Sequence, residues 1–138
     1  MAQLQRTVVT SDQAPRPIGA YSAGMAVTVG RLVYVAGQVA LDADGTLVGP
    51  GNAAAQTKQI FTNIGHILAA AGANFNNVVE FTTYVVGRPS IQKFIDGRNE
   101  VYPDAYPNGD YPPNTLLVVN GLVREDFLVE IKAVAAVP

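Results

Sequence analysis

From Phe127 to Ala136 the chain has a pattern that limits what it can fold into. In an extended strand, Phe127, Val129, Ile131, Ala133 and Ala135 share one face. Leu128, Glu130, Lys132, Val134 and Ala136 share the other. Both faces are largely apolar, so the sheet that holds this strand needs cover on two sides. Only two helices are legible upstream, enough for one face. The second face is expected to meet another copy of the chain. Composition points the same way: 49% of residues are hydrophobic and 14% charged, against roughly 25% charged in an ordinary domain.

The remaining elements follow from periodicity and breakers. Gln5 to Thr10 is predicted as a short strand, followed by a loop from Ser11 to Tyr21 that Pro15, Pro17 and Gly19 keep irregular. Met25, Val27 and Val29 alternate as a strand, and Leu32 to Ala36 is a second. Gly30-Arg31 between them predicts a two-residue hairpin. Gly37-Gln38 ends the second strand or marks a bulge. Asn52 to Ala71 carries an apolar stripe through Ile60, Ile64, Ile67 and Leu68, with Asn52 as N-cap and Gly72 past its end. Asn77 to Gly87 is a strand. Ser90 to Tyr102 is a helix capped by Ser90, and Thr115 to Asn120 and Phe127 to Ala136 close the chain as strands. The predicted order is β-β-β-α-β-α-β-β: one α+β domain over 1–138, a mixed sheet with two helices packed on one face.

Several function classes fall away. The chain has no cysteine, which removes disulfides, thiolate metal sites and a cysteine nucleophile. A net charge of -2 and no basic–aromatic stripe argue against a nucleic-acid groove. No apolar run is long enough to span a membrane, and the first residues lack a signal-peptide core, so a cytoplasmic protein is expected. His66 is the single histidine, which rules out a multi-histidine metal site. No phosphate-cradling glycine motif or Gly-x-Ser-x-Gly elbow occurs. No cofactor or metal is expected.

Four residues stand out as candidates. Glu130 is a carboxylate among apolar neighbours, a setting suited to passing protons, although from spacing alone a strand-face pair with Lys132 is the plainer account. Tyr21 ends the proline-rich loop, where its phenol serves a cleft or anchors packing. Asn99 lies on the second helix. Asn114 follows Pro112-Pro113, which stiffen the backbone ahead of a strand. Arg16, Arg88, Arg98 and Arg124 read as surface charges.

Several segments together resemble the RidA (YjgF) family: Pro17-Ile18-Gly19-Ala20-Tyr21-Ser22, Leu32 to Gln38, Asn63 through Ala73, and Val129-Glu130-Ile131-Lys132-Ala133-Val134-Ala135. They run through nearly the whole chain. The resemblance implies a chorismate-mutase-like fold and a homotrimer with ligand clefts between subunits. It implies cofactor-independent hydrolysis of enamines and imines, with Glu130 as the catalytic carboxylate that places water. Tyr21, Asn99 and Asn114 would be substrate-binding. Asn114 falls where the family's deaminases carry an arginine that holds a substrate carboxylate. An asparagine amide is neutral and lacks the guanidinium fork, so the usual small 2-imino acids are expected to bind poorly. Three readings follow: a hydrolase of another imine, enamine or related C–N bond, with another arginine as a possible source of the missing charge; a trimer that binds a small metabolite without turnover; or a chaperone-like trimer.

Overall fold

Asn52 sets the start of the longest helix. Its backbone is extended and its side-chain oxygen accepts the Ala55 N–H at 3.0 Å, and Gly72, at φ +75°, lies just past the far end. The computed structural model describes residues 5–138. The elements are β1 (Gln5–Val9), β2 (Gly24–Thr28), β3 (Arg31–Gln38), α1 (Ala53–Ala70), β4 (Val78–Val86), α2 (Pro89–Ala105), β5 (Asn114–Val119) and β6 (Val129–Val137), with a 3-10 turn at Phe75–Asn77. This is the predicted order. No helix among the described residues is long and apolar enough to cross a membrane.

The main sheet runs β3-β6-β4-β5. Only β4 and β5 are parallel, with α2 as their crossover, so the sheet is mixed. Strand β6 is hydrogen-bonded along both edges. Val129, Ile131, Ala133 and Ala135 point into the core with Val35, Phe81, Val85, Ile60, Ile64 and Leu68. The expected bulge lies between Val35 and Gln38, where β3 spends an extra residue against β6.

The expected hairpin between β2 and β3 does not form. β2 pairs with β1 in a separate two-stranded ribbon, and β3 pairs with β6. A two-residue hairpin turn needs a central residue at positive φ, and Gly30 is not among the glycines that adopt it. Instead the Gly30 N–H donates to the Val137 carbonyl at 3.1 Å, extending the β3–β6 edge. Arg6 fixes the ribbon elsewhere, donating to the Val78 carbonyl at 3.0 Å and to Asp110 at 3.3 Å.

Ser90 is not the cap of α2. Pro89 occupies the first turn, and the Ser90 hydroxyl donates back to the Val86 carbonyl at 2.7 Å. The helix also runs through Pro103 to Ala105, past the expected end. Gln56, fully buried on α1, donates to the Gly49 and Asp126 carbonyls at 3.1 and 3.0 Å and accepts the Leu128 N–H at 2.9 Å. One side chain thereby joins the loop before α1 to the entry of β6.

The helices approach most closely at Gly97. A Cβ there would lie 2.6 Å from the Ala54 carbonyl oxygen and 3.0 Å from the Thr57 Cβ. Backbone cannot swing aside as a flexible side chain would. Gly97→Ala should therefore destabilise despite the ~1 kcal/mol gain in helix propensity, because overpacking costs about 1–3 kcal/mol. The expected net loss is about 1 kcal/mol in urea unfolding; an unchanged or raised midpoint would contradict the close approach.

Candidate functional site

Two loops far apart in sequence are tied together at one end of α2. Tyr102 stacks on Tyr111 with ring centroids 5.4 Å apart, and Tyr106 meets both edge-on. The Ser22 hydroxyl donates to the Tyr111 carbonyl. The Pro113 carbonyl then accepts the Phe81 N–H at 2.9 Å, which starts the β4–β5 ladder and aligns Asn114 with Phe81. The stiff Tyr111-Pro112-Pro113 run thus delivers Asn114 to the side of the sheet that the helices cover, and Ser22 holds Tyr21 beside it.

The result is a cavity of about 430 Å³ lined by Tyr21, Ile95, Arg98, Asn114, Thr115 and Leu116, among others. Asn114 Oδ1 accepts the Thr83 hydroxyl at 2.8 Å, and Thr83 is itself buried. With its oxygen engaged, the Asn114 amide has its N–H groups left to offer a ligand. The Tyr21 hydroxyl accepts the Ile18 N–H at 3.2 Å and retains its own proton to donate.

Arg98 overturns the expectation that it is a surface charge. It is only 8% exposed, and its Nε is buried without a hydrogen-bond partner. Its guanidinium lies 5.5 Å from the ring centroids of both Phe94 and Tyr102. The ion pairs among the described residues join Arg6 to Asp110, Lys58 to Glu100 and Arg124 to Asp126, and none includes Arg98. Tyr102 is no counter-ion. Burial pushes its hydroxyl well above the ordinary tyrosine range, more than the nearby Arg98 lowers it, with Tyr111 adding to the rise. Arg98 was legible in principle: Phe94, Arg98 and Tyr102 are spaced i, i+4, i+8 on one helical stripe.

The other candidates lie elsewhere in the chain. Glu130 is in register with Tyr84, while its neighbour Ile131 is in register with Thr83, the hydrogen-bond partner of Asn114. Strand alternation therefore puts Glu130 and Asn114 on opposite faces of the sheet. The Glu130 carboxylate lies over Gly37 at the bulge, where any Cβ would collide with it. Glu130 and Lys132 form no ion pair among the described residues. Asn99 is exposed and lines a separate groove of about 610 Å³ beside Tyr102, Tyr106 and Tyr111. His66 is exposed. Among the described residues, no cluster of three or more His, Asp or Glu side chains could hold a metal ion.

Comparison with known proteins assigns this arrangement to a lineage. The family model described as Endoribonuclease L-PSP matches residues 11–137. A 2-iminobutanoate/2-iminopropanoate deaminase of Bos taurus is 40% identical over 136 residues, covering 98% of this chain and 93% of the relative. A RutC family protein of Pyrococcus abyssi is 34% identical over 132 residues, covering 96% and 98%. The crystal structure of YyfB, a Rid-family protein of unknown function from Yersinia pestis, superposes with a TM-score of 0.85 at 31% identity, covering 96% of this chain and 98% of that one. The α+β architecture and these relatives agree: the chain belongs to the RidA (YjgF) family, matched by the Endoribonuclease L-PSP family model.

Proposed function

We propose that the protein hydrolyses an imine, enamine or related C–N bond of a small metabolite other than the usual 2-imino acids. The observation that carries this reading is the convergence of Tyr21 and Asn114 on one donor-lined cavity in a chain related to imine deaminases. Glu130 places the attacking water and takes up its proton. The C–N carbon gains a hydroxyl while Glu130 passes the water's proton on to the nitrogen, and collapse of the resulting carbinolamine, with its hydroxyl proton also going to the nitrogen, releases ammonia or amine and leaves a carbonyl.

The same reading makes the protein a homotrimer with its sites between subunits. Within one chain Glu130 and Asn114 face opposite ways, so a site that uses both draws them from different copies. The uncovered face offers a surface for that contact: Leu32 and Leu117 are 43% and 41% exposed, and Tyr34 is 74% exposed.

Imines generated in situ by amine and amino-acid oxidases, with catalase present and semicarbazide as trap, test the reaction. Wild-type protein should reduce the trapped imine in proportion to dose. Glu130→Gln should slow this by about 100-fold or more while light scattering still reports a trimer. Trapping unaffected by wild-type protein for every imine would leave a non-catalytic binding or chaperone-like trimer instead.

Gly37→Ala should displace the Glu130 carboxylate and cost on the order of 10–100-fold in rate, with little change in ligand affinity. A rate equal to wild type would mean that the carboxylate is not used from this position. Asn114→Arg should raise hydrolysis of 2-iminopropanoate by about tenfold or more, since a charge-assisted contact is worth about 1.5–3 kcal/mol. No gain would show that loss of that one cation does not account for the altered substrate range.

A further inference from the structure

We infer that Arg98 is the anion-binding residue of this cavity, and that the molecule it takes is a small organic monocarboxylate. The inference deepens the proposed function and rests on that reading only in placing the ligand on a reaction path: the charge absent at Asn114 on β5 comes from α2 instead, so a carboxylate is held from a different direction than an arginine at 114 would hold it.

A guanidinium is charged at every physiological pH and has five N–H donors. Removing it from water is unfavourable unless acceptors replace the lost hydration. Here Arg98 is only 8% exposed, its Nε is buried with no acceptor, and among the described residues no carboxylate is paired with it. The flanking Phe94 and Tyr102 rings steady the cation from the side and supply no hydrogen-bond acceptor in line with it.

The rest of the lining completes the match. Asn114 has its oxygen occupied by Thr83, so its amide N–H groups remain. Tyr21 contributes a hydroxyl proton. No aspartate or glutamate lines the cavity, and Ile95 and Leu116 supply an apolar wall. One fixed positive charge, neutral donors and an apolar side are complementary to a carboxylate on a short hydrocarbon body. A phosphate dianion would bring a second negative charge that nothing here offsets.

The position of Arg98 is dictated by packing. Its neighbour Gly97 is pressed against α1 at the Ala54 carbonyl, which fixes the rotation of α2. The cation is thus presented from the helix, while Asn114 lies across the cavity on β5.

The test is direct binding of unreactive probes to the intact protein, so turnover does not enter. Propanoate, butanoate and benzoate are each compared with the amide of the same shape. The readouts are calorimetry and the Nε–H resonance of Arg98 in protein carrying 15N-arginine, assigned by its loss in Arg98→Lys. At least one carboxylate should bind and move that resonance, and its amide should not. Arg98→Met should weaken carboxylate binding about tenfold or more and leave amide binding unchanged, with Arg98→Lys in between.

If Arg98→Met fails to fold, the wild-type resonance decides alone. Equal responses to acid and amide, or no Nε response to any carboxylate, would make Arg98 a packing residue and overturn the inference. Carboxylate binding through Arg98 in a protein that hydrolyses no imine would sink the proposed reaction and leave this inference standing. Imine hydrolysis with the same KM in Arg98→Met would do the opposite.

Discussion

Strand β6 organises the molecule because both of its neighbours depend on it. β3 and β4 do not pair with each other; each is bonded to the strand between them, and β5 is reached only through β4. Val129 and Ile131 are completely buried, and each contributes roughly 1.5–3 kcal/mol of apolar transfer. Ala133 and Ala135 are small, which lets α1 settle against the strand's far half. Loss of β6 would separate β3 from the rest of the sheet and remove part of the surface on which α1 packs. All of these pairings are long-range, so the sheet closes only after residues 129–137 have joined it.

The same strand imposes the geometry of the proposed chemistry. Alternation sends its odd-numbered residues into the helical core and Glu130 to the uncovered face. Asn114 and Tyr21 reach the helical side through the proline-stiffened segment and the Ser22 tie to Tyr111. A single chain therefore holds a donor-lined cavity and a carboxylate in separate places. Self-association through the uncovered face would complete the site and remove exposed apolar surface in one step.

Much of this was legible in the residues. The stripe from Ile60 to Leu68 with Asn52 before it, and the two-faced pattern of β6, gave those elements because burial and capping are local in sequence. The β2–β3 hairpin was misread because Gly-x between two strands is a turn signal only at positive φ, and Gly30 is held instead by the Val137 carbonyl of a strand more than a hundred residues later. Arg98 was misread as a surface charge, and its neighbour Asn99 shows why the two differ. They are adjacent on a helix and so about 100° apart around it; the turn that buries Arg98 between Phe94 and Tyr102 sends Asn99 to solvent. Weighing arginines by charge alone hid the stripe, and the Thr83 contact that orients Asn114 comes from a strand thirty-one residues away.

The close approach at Gly97 has a consequence beyond stability. Because the helix turn that touches the Ala54 carbonyl also carries Arg98, the gap between the helices acts as a gauge for the ligand cavity. A substitution anywhere along the α1–α2 seam that widens the gap would draw the cation back from its ligand and slacken recognition without touching a lining residue. Ligand selectivity in this chain would then be inherited partly from helix packing, and relatives with identical cavity walls would differ in preference wherever the seam is set to a different width.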